Sequence, residues 1–339
     1  MDIVVTPFDA SNERAAHDAL AVQAACVAHD LPDFPAMCPV NFIAGLSHPW
    51  PGDRPEHAVA YLDGEPVAHA VVGLPQLENL ENANVELSVL PAYRRRGIGG
   101  VLYRWAEELA RANGRKKMLA VAVGTLPGGP ERDSAGARFL AARGFKPALG
   151  EVRRRLDVTK LDQPALDRML ADGWAKADGY RLVRWIDLAP EELLDDVAYL
   201  DGRLLLDAPM GDLDWEPPKT DADRVRKGQA AITARGRTQY HSGAVHEETG
   251  RLVAWTTLDI GATSKWHSFQ NITIVEPRHR GHRLGAIVKV ENLRWFLAEQ
   301  PQITTIDTWN AAVNDHMISI NEAMGFRPVD AWTDYQVSF

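Results

Sequence analysis

The feature that most constrains this chain is a repeat, because one short pattern occurs twice at an offset of 186 residues. In each copy a strand-like run ends beside a proline, an Arg/Gly-rich loop follows, and an amphipathic helix comes next. The landmarks Gly64, Pro91, Arg94 and Gly99 recur as Gly250, Pro277, Arg280 and Gly285. Isolated Gly and Pro residues rarely recur at one offset with matching element types around them. We therefore expect two copies of one α/β domain.

Bulk properties narrow the class of protein. A length of 339 residues favours two domains, each with its own core. The net charge of −9 disfavours nucleic acid or an anionic membrane as the main partner and is compatible with a cationic substrate. No apolar run reaches membrane-spanning length, and Cys26 and Cys38 lack metal-ligand spacing. We expect a cytoplasmic protein without a metal, acting as a monomer or homodimer.

The order of predicted elements is the same in both halves. The first half reads as a helix over 12–28, a proline-rich loop to Pro55, a strand hairpin around Gly64, a strand to Val89 and a helix from Gly99. A further strand and a helix ended by Gly144 follow, and the second half repeats this order. We expect a boundary near residue 158, which divides the chain into residues 1–158 and 159–339.

The Arg/Gly loop has the features of an anion site. Glycines let backbone N–H groups converge, and the following helix adds the positive end of its dipole. No Gly-Lys-Ser/Thr follows, so it is not a Walker loop, and no Gly-x-Gly-x-x-Gly is present. The alternative is a helix start that carries a solvated arginine cluster.

The first loop, Arg94-Arg95-Arg96-Gly97-Ile98-Gly99, matches the Gln/Arg-x-x-Gly-x-Gly/Ala signature of the GNAT family of N-acetyltransferases. The second loop departs from this signature, because Arg283 stands where the first glycine is expected. Nearly the whole chain resembles tandem GNAT enzymes common in actinobacteria, with an architecture like that of mycothiol synthase. The resemblance implies an α/β fold of two tandem domains, each a mixed, mostly antiparallel sheet flanked by helices and splayed between its fourth and fifth strands.

The resemblance also implies acetyl-CoA as cosubstrate. The loops would hold its pyrophosphate, and the ends of the preceding strands would hold its pantetheine. The residues implied are Val89, Arg94, Arg95, Arg96, Gly97, Ile98, Gly99 and Gly100 in the first domain, and Val275, Arg280, Gly281, His282, Arg283, Leu284, Gly285, Ala286, Asn310 and Asn314 in the second.

Catalytic residues are harder to assign. The Tyr that serves as acid in the family is replaced by Leu140 in the first domain and by Asn321 in the second. His267 is the candidate base, and a strand-end histidine without a catalytic role is the alternative. Glu86 is expected on the opposite face of its strand and is discounted.

An acidic segment lies between the first helices of the second domain, where the resemblance places a substrate lid. Asp212 and Asp214, with Glu216 beside them, are candidates to hold a cationic amine. A solvated acidic turn is the alternative.

These observations predict an acetyl-CoA-dependent N-acetyltransferase that acts on the amine of a small molecule from secondary metabolism, antibiotic resistance or thiol biosynthesis. The alternatives are a non-catalytic acyl-CoA-binding or sensing protein, which the missing Tyr would suit, and a protein or peptide acetyltransferase. We expect the second domain to do the chemistry, because it carries more polar groups near the expected thioester.

Overall fold

The computed structural model describes residues 3–339 of the chain. The strands are β1 Ile3–Phe8, β2 Asp53–Leu62, β3 Glu65–Pro75, β4 Asn82–Val89, β5 Lys117–Thr125, β6 Lys146–Asp157, β7 Tyr180–Ile186, β8 Arg237–His246, β9 Leu252–Gly261, β10 His267–Val275, β11 Thr305–Ala311 and β12 Arg327–Ser338. The helices are α1 Glu13–Asp30, α2 Pro39–Ser47, α3 Ile98–Ala112, α4 Ala135–Ala141, α5 Gln163–Trp174, α6 Leu194–Asp207, α7 Ala222–Ala234, α8 Leu284–Glu299 and α9 Asp315–Met324. The expected α/β class is confirmed.

The chain forms two compact units. Unit 1 contains residues 1–150, 211–216 and 330–339, and unit 2 contains residues 151–210 and 217–329. The predicted division at residue 158 follows the repeat along the sequence and stays a prediction.

The two units have the same sheet topology. Unit 1 has the strand order β1-β2-β3-β4-β5-β12, and unit 2 has the order β7-β8-β9-β10-β11-β6. Among the described strands of unit 1, β4 and β5 are parallel and the other pairs are antiparallel. In unit 2, β10 and β11 are parallel and the other pairs are antiparallel. Each sheet is therefore mixed and mostly antiparallel, as expected.

The last strand of each sheet comes from the other half of the sequence. The end of the chain supplies β12, whose residues Asp330–Ser338 pair with β5 in unit 1. The middle of the chain supplies β6, whose residues Glu151–Asp157 pair with β11 in unit 2. Repeat periodicity alone does not indicate this exchange, because it depends on non-local pairing.

Apolar side chains on alternate strand positions hold each sheet against its helices. In unit 1 the buried residues Ala83, Val85, Ala106 and Ala110 join β4 to α3. In unit 2 a cluster of buried residues, Leu258 among them, joins β9 and β11 to α5 and α8. The first helix of each repeat, α1 or α6, has its own apolar cluster. Each unit thus has helices on both faces of its sheet.

Several elements are not indicated by the sequence pattern. The proline-rich stretch expected to be a loop contains α2, which begins at Pro39 after the cap residue Cys38. β6 carries three successive arginines, Arg153 to Arg155, a composition that does not indicate a strand until their carboxylate partners are known.

Candidate functional site

The loops after β4 and β10 share one backbone conformation. In the first loop Arg95 and Gly97 have positive φ angles of 63° and 86°. In the second loop Gly281 and Arg283 have φ angles of 91° and 58°. Glycine and arginine have exchanged places, and Arg283 adopts the left-handed conformation at a cost of about 1–2 kcal/mol. The second loop therefore keeps the shape of the first despite its departure from the expected signature.

Both loops lead into a helix whose first N–H groups are unpaired. Gly97 and Arg283 precede α3 and α8 without a side-chain cap, whereas Asn12 and Asp221 cap α1 and α7 through their side chains. Within residues 3–339, the backbone N–H groups of 95–99 and 281–285 donate no hydrogen bond. Unpaired donors at the positive end of a helix dipole bind phosphate.

The residues that follow belong to the helices. The side chains of Ile98 and Leu284 are buried in the cores, so only their backbone is available to a ligand. Gly100 and Ala286 already donate their N–H groups within the first helical turn, at 3.0 Å to residues 97 and 283.

Gly99 and Gly285 let neighbouring elements approach the loops. A Cβ on Gly99 would lie 3.1 Å from Cε2 of Phe139 on α4. A Cβ on Gly285 would lie 3.5 Å from Cγ2 of Val275, an ordinary contact. An alanine therefore fits at Gly285 but crowds Phe139 at Gly99, and larger side chains would fill either loop.

Arg94 and Arg280 brace the loops. Arg94 donates from Nε to the Val89 carbonyl at 3.0 Å and from both terminal nitrogens to the Asp30 carboxylate at 2.8 and 2.6 Å. Arg280 donates to the carbonyl that ends β10 at 3.3 Å and to Asp207 at 2.9 Å. Both guanidiniums are thus engaged with a carboxylate at the end of a preceding helix.

Other side chains are left to attract an anion. Arg95 and Arg96 are exposed, and no ion pair to either is found within the described chain. Arg96 lies 5.3 Å from the centroid of the Tyr93 ring. Both arginines remain candidates for phosphate contact.

The second loop carries a histidine cluster that the first lacks. Tyr180 lies 5.7 Å from His279 and 5.2 Å from both His246 and His282, between ring centroids. Nδ1 of His279 is 2.8 Å from the Tyr180 hydroxyl, and Nδ1 of His282 donates to the Lys176 carbonyl at 2.9 Å. Burial lowers the pKa of His279, and the neighbouring histidines lower it further.

The parallel strand pair of each unit opens after a short stretch of pairing. β4 pairs with β5 only as far as Asn84, and β10 pairs with β11 only as far as Phe269. Beyond these residues, the edges that end at Val89 and Val275 have no partner strand on this side within the described chain. The expected splay is present in both units, and it leaves backbone groups for an extended ligand.

Glu86 borders the opening in unit 1. Its neighbours Ala83 and Val85 are buried against α3, whereas Glu86 faces the other side of the sheet and is exposed. Its carboxylate has no hydrogen bond or ion pair within residues 3–339. Although the side chain is open to solvent, the protein atoms around the opening between β4 and β5 desolvate the carboxyl and raise its pKa.

Asp334 lies on the same face of unit 1. It pairs with Val121 of β5, and the parallel register of Asn84 with Leu119 puts Val121 level with Glu86. Burial raises the pKa of the Asp334 carboxyl, which has no ion pair within the described residues. Two carboxylates therefore flank the opening where β4 and β5 separate.

His267 belongs to a buried ionic cluster in unit 2. Its Nε2 lies 3.0 Å from Oδ2 of Asp307, which also accepts from Arg153 at 3.0 Å and from Arg155 at 2.7 and 2.8 Å. Burial alone would raise the pKa of Asp307, but hydrogen bonds from Arg155 and His267 and the arginine charges outweigh it and lower the pKa to about 2. His267 lies at the paired end of β10, before the opening. Its contacts favour a structural role, and its role as base remains a prediction.

Asn321 and Asn310 meet on unit 2. Nδ2 of Asn321 donates to Oδ1 of Asn310 at 2.6 Å, while the buried Oδ1 of Asn321 has no hydrogen-bond partner among residues 3–339. Asn314 caps α9 by accepting from the Met317 N–H at 3.3 Å. In unit 1 the matching position, Leu140, is part of the apolar core.

The acidic segment 211–216 belongs to unit 1. Asp212 donates its N–H to the Ala148 carbonyl at 2.8 Å. Asp214 forms an ion pair with Lys117, and its carbonyl accepts from Asn82 at 2.8 Å. The segment is thus tied to the sheet of unit 1, and the predicted amine contacts of Asp212 and Asp214 remain predictions.

The sequence predicts a base on the face of β4 that packs on α3, and Glu86 lies on the other face. Strand alternation does place Glu86 on the opposite face, as expected, but the face of β4 that packs on α3 is closed by core residues. The sequence offers one usable signal, a single carboxylate within β4.

Comparisons with known proteins agree with this geometry. The model of the acetyltransferase (GNAT) family matches residues 29–127. A solved structure described as a tandem GNAT protein from the clavulanic acid biosynthesis pathway is 31% identical, with 99% of this chain and 98% of that chain covered and a TM-score of 0.84.

More distant structures share the fold. A GNAT from Sphaerobacter thermophilus is 12% identical over 99% of this chain and 95% of its own, with a TM-score of 0.65. A putative acetyltransferase from Pyrococcus horikoshii is 14% identical over 99% and 89%, with a TM-score of 0.57. No curated protein matches the chain. Within residues 3–339 no helix is long and apolar enough to cross a membrane, and no group of metal-ligating side chains is found.

Proposed function

Because the chain belongs to the GNAT family of acetyltransferases, we propose that it transfers the acetyl group of acetyl-CoA to the amine of a small molecule. The observation that carries the proposal is the uncapped loop and helix beside an opened parallel strand pair. The 31% identical tandem GNAT protein belongs to the clavulanic acid pathway, which supports a small molecule of secondary metabolism as acceptor.

The residues present fit coenzyme A. The five unpaired N–H groups at 95–99 suit its pyrophosphate, and the free edge of β4 up to Val89 suits its amide-containing pantetheine arm. Arg95 and Arg96 add charge, and Gly99 keeps the loop open. Unit 2 offers the same backbone donors at 281–285.

Unit 1 supplies the groups for amine chemistry. A carboxylate with a raised pKa accepts a proton near neutral pH better than an ordinary one, so Glu86 is the candidate base. The amine nitrogen bonds to the thioester carbon, Glu86 takes the amine proton, and the C–S bond breaks to give an amide and CoA thiolate. The thiolate then takes a proton from solvent, and Glu86 releases its proton to solvent. A thiol with a pKa of about 8.5 leaves without a strong acid, which suits Leu140 in place of the family's Tyr.

The contacts thus favour unit 1 as the catalytic unit, whereas the polar residues of the sequence favour the second domain. At the position of Glu86, unit 2 has Ile272, and His267 is held by Asp307. A second candidate function, an acyl-CoA-binding protein without turnover, is favoured by the burial of Leu140 where the family's acid stands.

The test measures release of free thiol from acetyl-CoA with a library of small amines. Thiol release that depends on particular amines supports the enzyme, whereas CoA binding without release supports the binding protein. We expect Glu86→Gln to lower kcat by about 10²-fold and to remove the acidic limb of the pH profile, where the rate rises as the base loses its proton, because the base is lost while its shape is kept. Glu108→Gln, an exposed carboxylate of α3, is the matched control.

Paired loop variants decide between the units. Gly99→Leu should abolish turnover, and Gly285→Leu should leave most of it, with circular dichroism used to check folding. Loss of turnover in Gly285→Leu alone would return the chemistry to unit 2.

A further inference from the structure

Two like-charged side chains converge on the first turn of α3. A Cβ placed on Gly100 would lie 3.4 Å from Nη2 of Arg143 and 3.9 Å from Nη1 of Arg104. Arg104 comes from α3 itself, and Arg143 comes from the turn that follows α4. The missing side chain of Gly100 leaves the space in which the two guanidiniums approach each other.

No carboxylate neutralises this pair within the described chain. Arg143 donates from Nη1 to the Phe139 carbonyl at 3.0 Å and lies 3.4 Å from the centroid of the Phe139 ring. The nearby carboxylate of Glu107 is paired with Arg111 instead, at 2.7 Å. Burial lowers the pKa of Arg143, and the charge of Arg104 lowers it further. Two cations held together without a counter-charge are what an anion site looks like before its ligand binds.

The position of the pair separates it from the loop donors. The N–H groups of 95–99 face the loop, whereas Gly100 already donates within the helix to Gly97 at 3.0 Å. A ligand whose pyrophosphate is held by the loop N–H groups can present a further anionic group to Arg104 and Arg143. Coenzyme A has one such group, the phosphate on the 3′ oxygen of its ribose.

Unit 2 has no equivalent pair. Val290 matches Arg104 on α8, and Met324 matches Arg143 because each precedes the glycine that follows its helix, Gly325 or Gly144. The side chains of Val290 and Met324 are buried in an apolar cluster. The pair is therefore a feature of unit 1 and not of the repeated fold.

We propose that Arg104 and Arg143 form a phosphate subsite that binds the 3′-phosphate of coenzyme A in unit 1 and lets this unit distinguish CoA from ligands that lack this phosphate. The proposal rests on the proposed use of acetyl-CoA.

The test is isothermal titration of the full chain with CoA and with 3′-dephospho-CoA. We expect one site of the wild-type protein to bind CoA more tightly than it binds 3′-dephospho-CoA. Arg143→Gln and Arg104→Gln should each weaken CoA binding there by about tenfold or more, since a hydrogen bond to a charged group contributes on this scale. Binding of 3′-dephospho-CoA should stay unchanged. Arg111→Gln, on the same helix but paired with Glu107, is the control.

The outcomes separate the subsite from the function. Equal weakening of both ligands would assign the arginines to the pyrophosphate and overturn the proposal, as would no weakening of either. Failure of the wild-type chain to bind CoA at all would overturn the proposed function itself. Melting curves of the variants establish that they fold, and a crystal structure of the CoA complex with the 3′-phosphate away from Arg143 would also contradict the subsite.

Discussion

At the scale of residues, the first arginine of each Arg/Gly loop contacts the protein itself, and the phosphate contact that its motif indicates stays a prediction. Arg94 and Arg280 lead their Arg/Gly loops, where an arginine suggests phosphate contact. Each instead joins the carbonyl at the end of a strand to a carboxylate at the end of a helix, Asp30 or Asp207. This contact couples the first helix of each repeat to the anion loop.

The ion pair between Arg94 and Asp30 leads to a prediction for the CoA affinity of an Asp30 variant. If Arg94 acts by holding the loop, Asp30→Asn should weaken CoA binding in the same direction as Arg94→Ala, because both remove the ion pair. If Arg94 were a phosphate ligand, loss of Asp30 would free its charge and tighten binding. Calorimetric CoA affinities of the two variants decide this, with Asp18→Asn, on the same helix, as the control.

At the scale of elements, each unit has a ring stack between its sheet and its first helices. In unit 1 His57 stacks on His69 with centroids 5.6 Å apart, and Phe8 lies 5.5 Å from His57. In unit 2 His241 lies between Trp185 at 5.0 Å and Trp255 at 5.8 Å. Phe8 of β1 lies opposite His57 of β2, and Trp185 of β7 lies opposite His241 of β8. The stack is thus part of the duplicated fold.

Burial keeps these histidines neutral and makes stability depend on pH. It lowers the pKa of His57 to about 4 and those of His69 and His241 to about 3. Unfolded histidine binds a proton near pH 6.5, so the folded state should lose stability as pH falls from 6.5 towards 3, by about 1.4 kcal/mol for each unit of pKa shift.

Urea unfolding at pH 7 and pH 4.5 measures this loss. His57→Phe, which keeps a ring beside Phe8, should reduce the loss between the two pH values, whereas the exposed His17→Phe should not. An unchanged loss in His57→Phe would contradict the assignment.

At the scale of the whole molecule, the repeats exchange their last strands. Residues at the end of the chain pair with β5 from Lys117 to Thr125, more than two hundred residues earlier. Within unit 1, Asp330 also accepts from the buried Arg132 at 2.9 Å.

Removal of residues 330–339 should therefore destabilise unit 1 more than unit 2. The deletion leaves β5 as an unpaired edge and Arg132 without this carboxylate. Hydrogen exchange should show loss of protection at 117–125, while β8 and β9 of unit 2 keep theirs. A chain that lacks only Phe339 is the control, and unchanged protection of β5 would refute the expectation.

The predictability of the fold follows the range of its contacts. The repeat predicts the order of elements from β2 to α4 and from β8 to α9, because alternation, glycine ends and helix periodicity are local. It does not predict α2, since Cys38 and Pro39 form its start inside a proline-rich stretch. It also misses β6, whose arginines are stabilised by Asp307 and Glu322 from distant segments.

The candidate site, like the fold, has features that local sequence predicts and features that depend on contacts between distant segments. By itself the sequence determined the duplication, the two Arg/Gly loops and the family, because each is carried by short local motifs and by their recurrence along the chain. Only the tertiary structure decided that Arg283 takes the left-handed conformation of Gly97, that Asp30 engages Arg94, and that Glu86 stands without a partner at the opened strand pair. The reason is physical: the conformation, charge state and availability of a side chain depend on neighbours that strand pairing and burial bring from far along the chain.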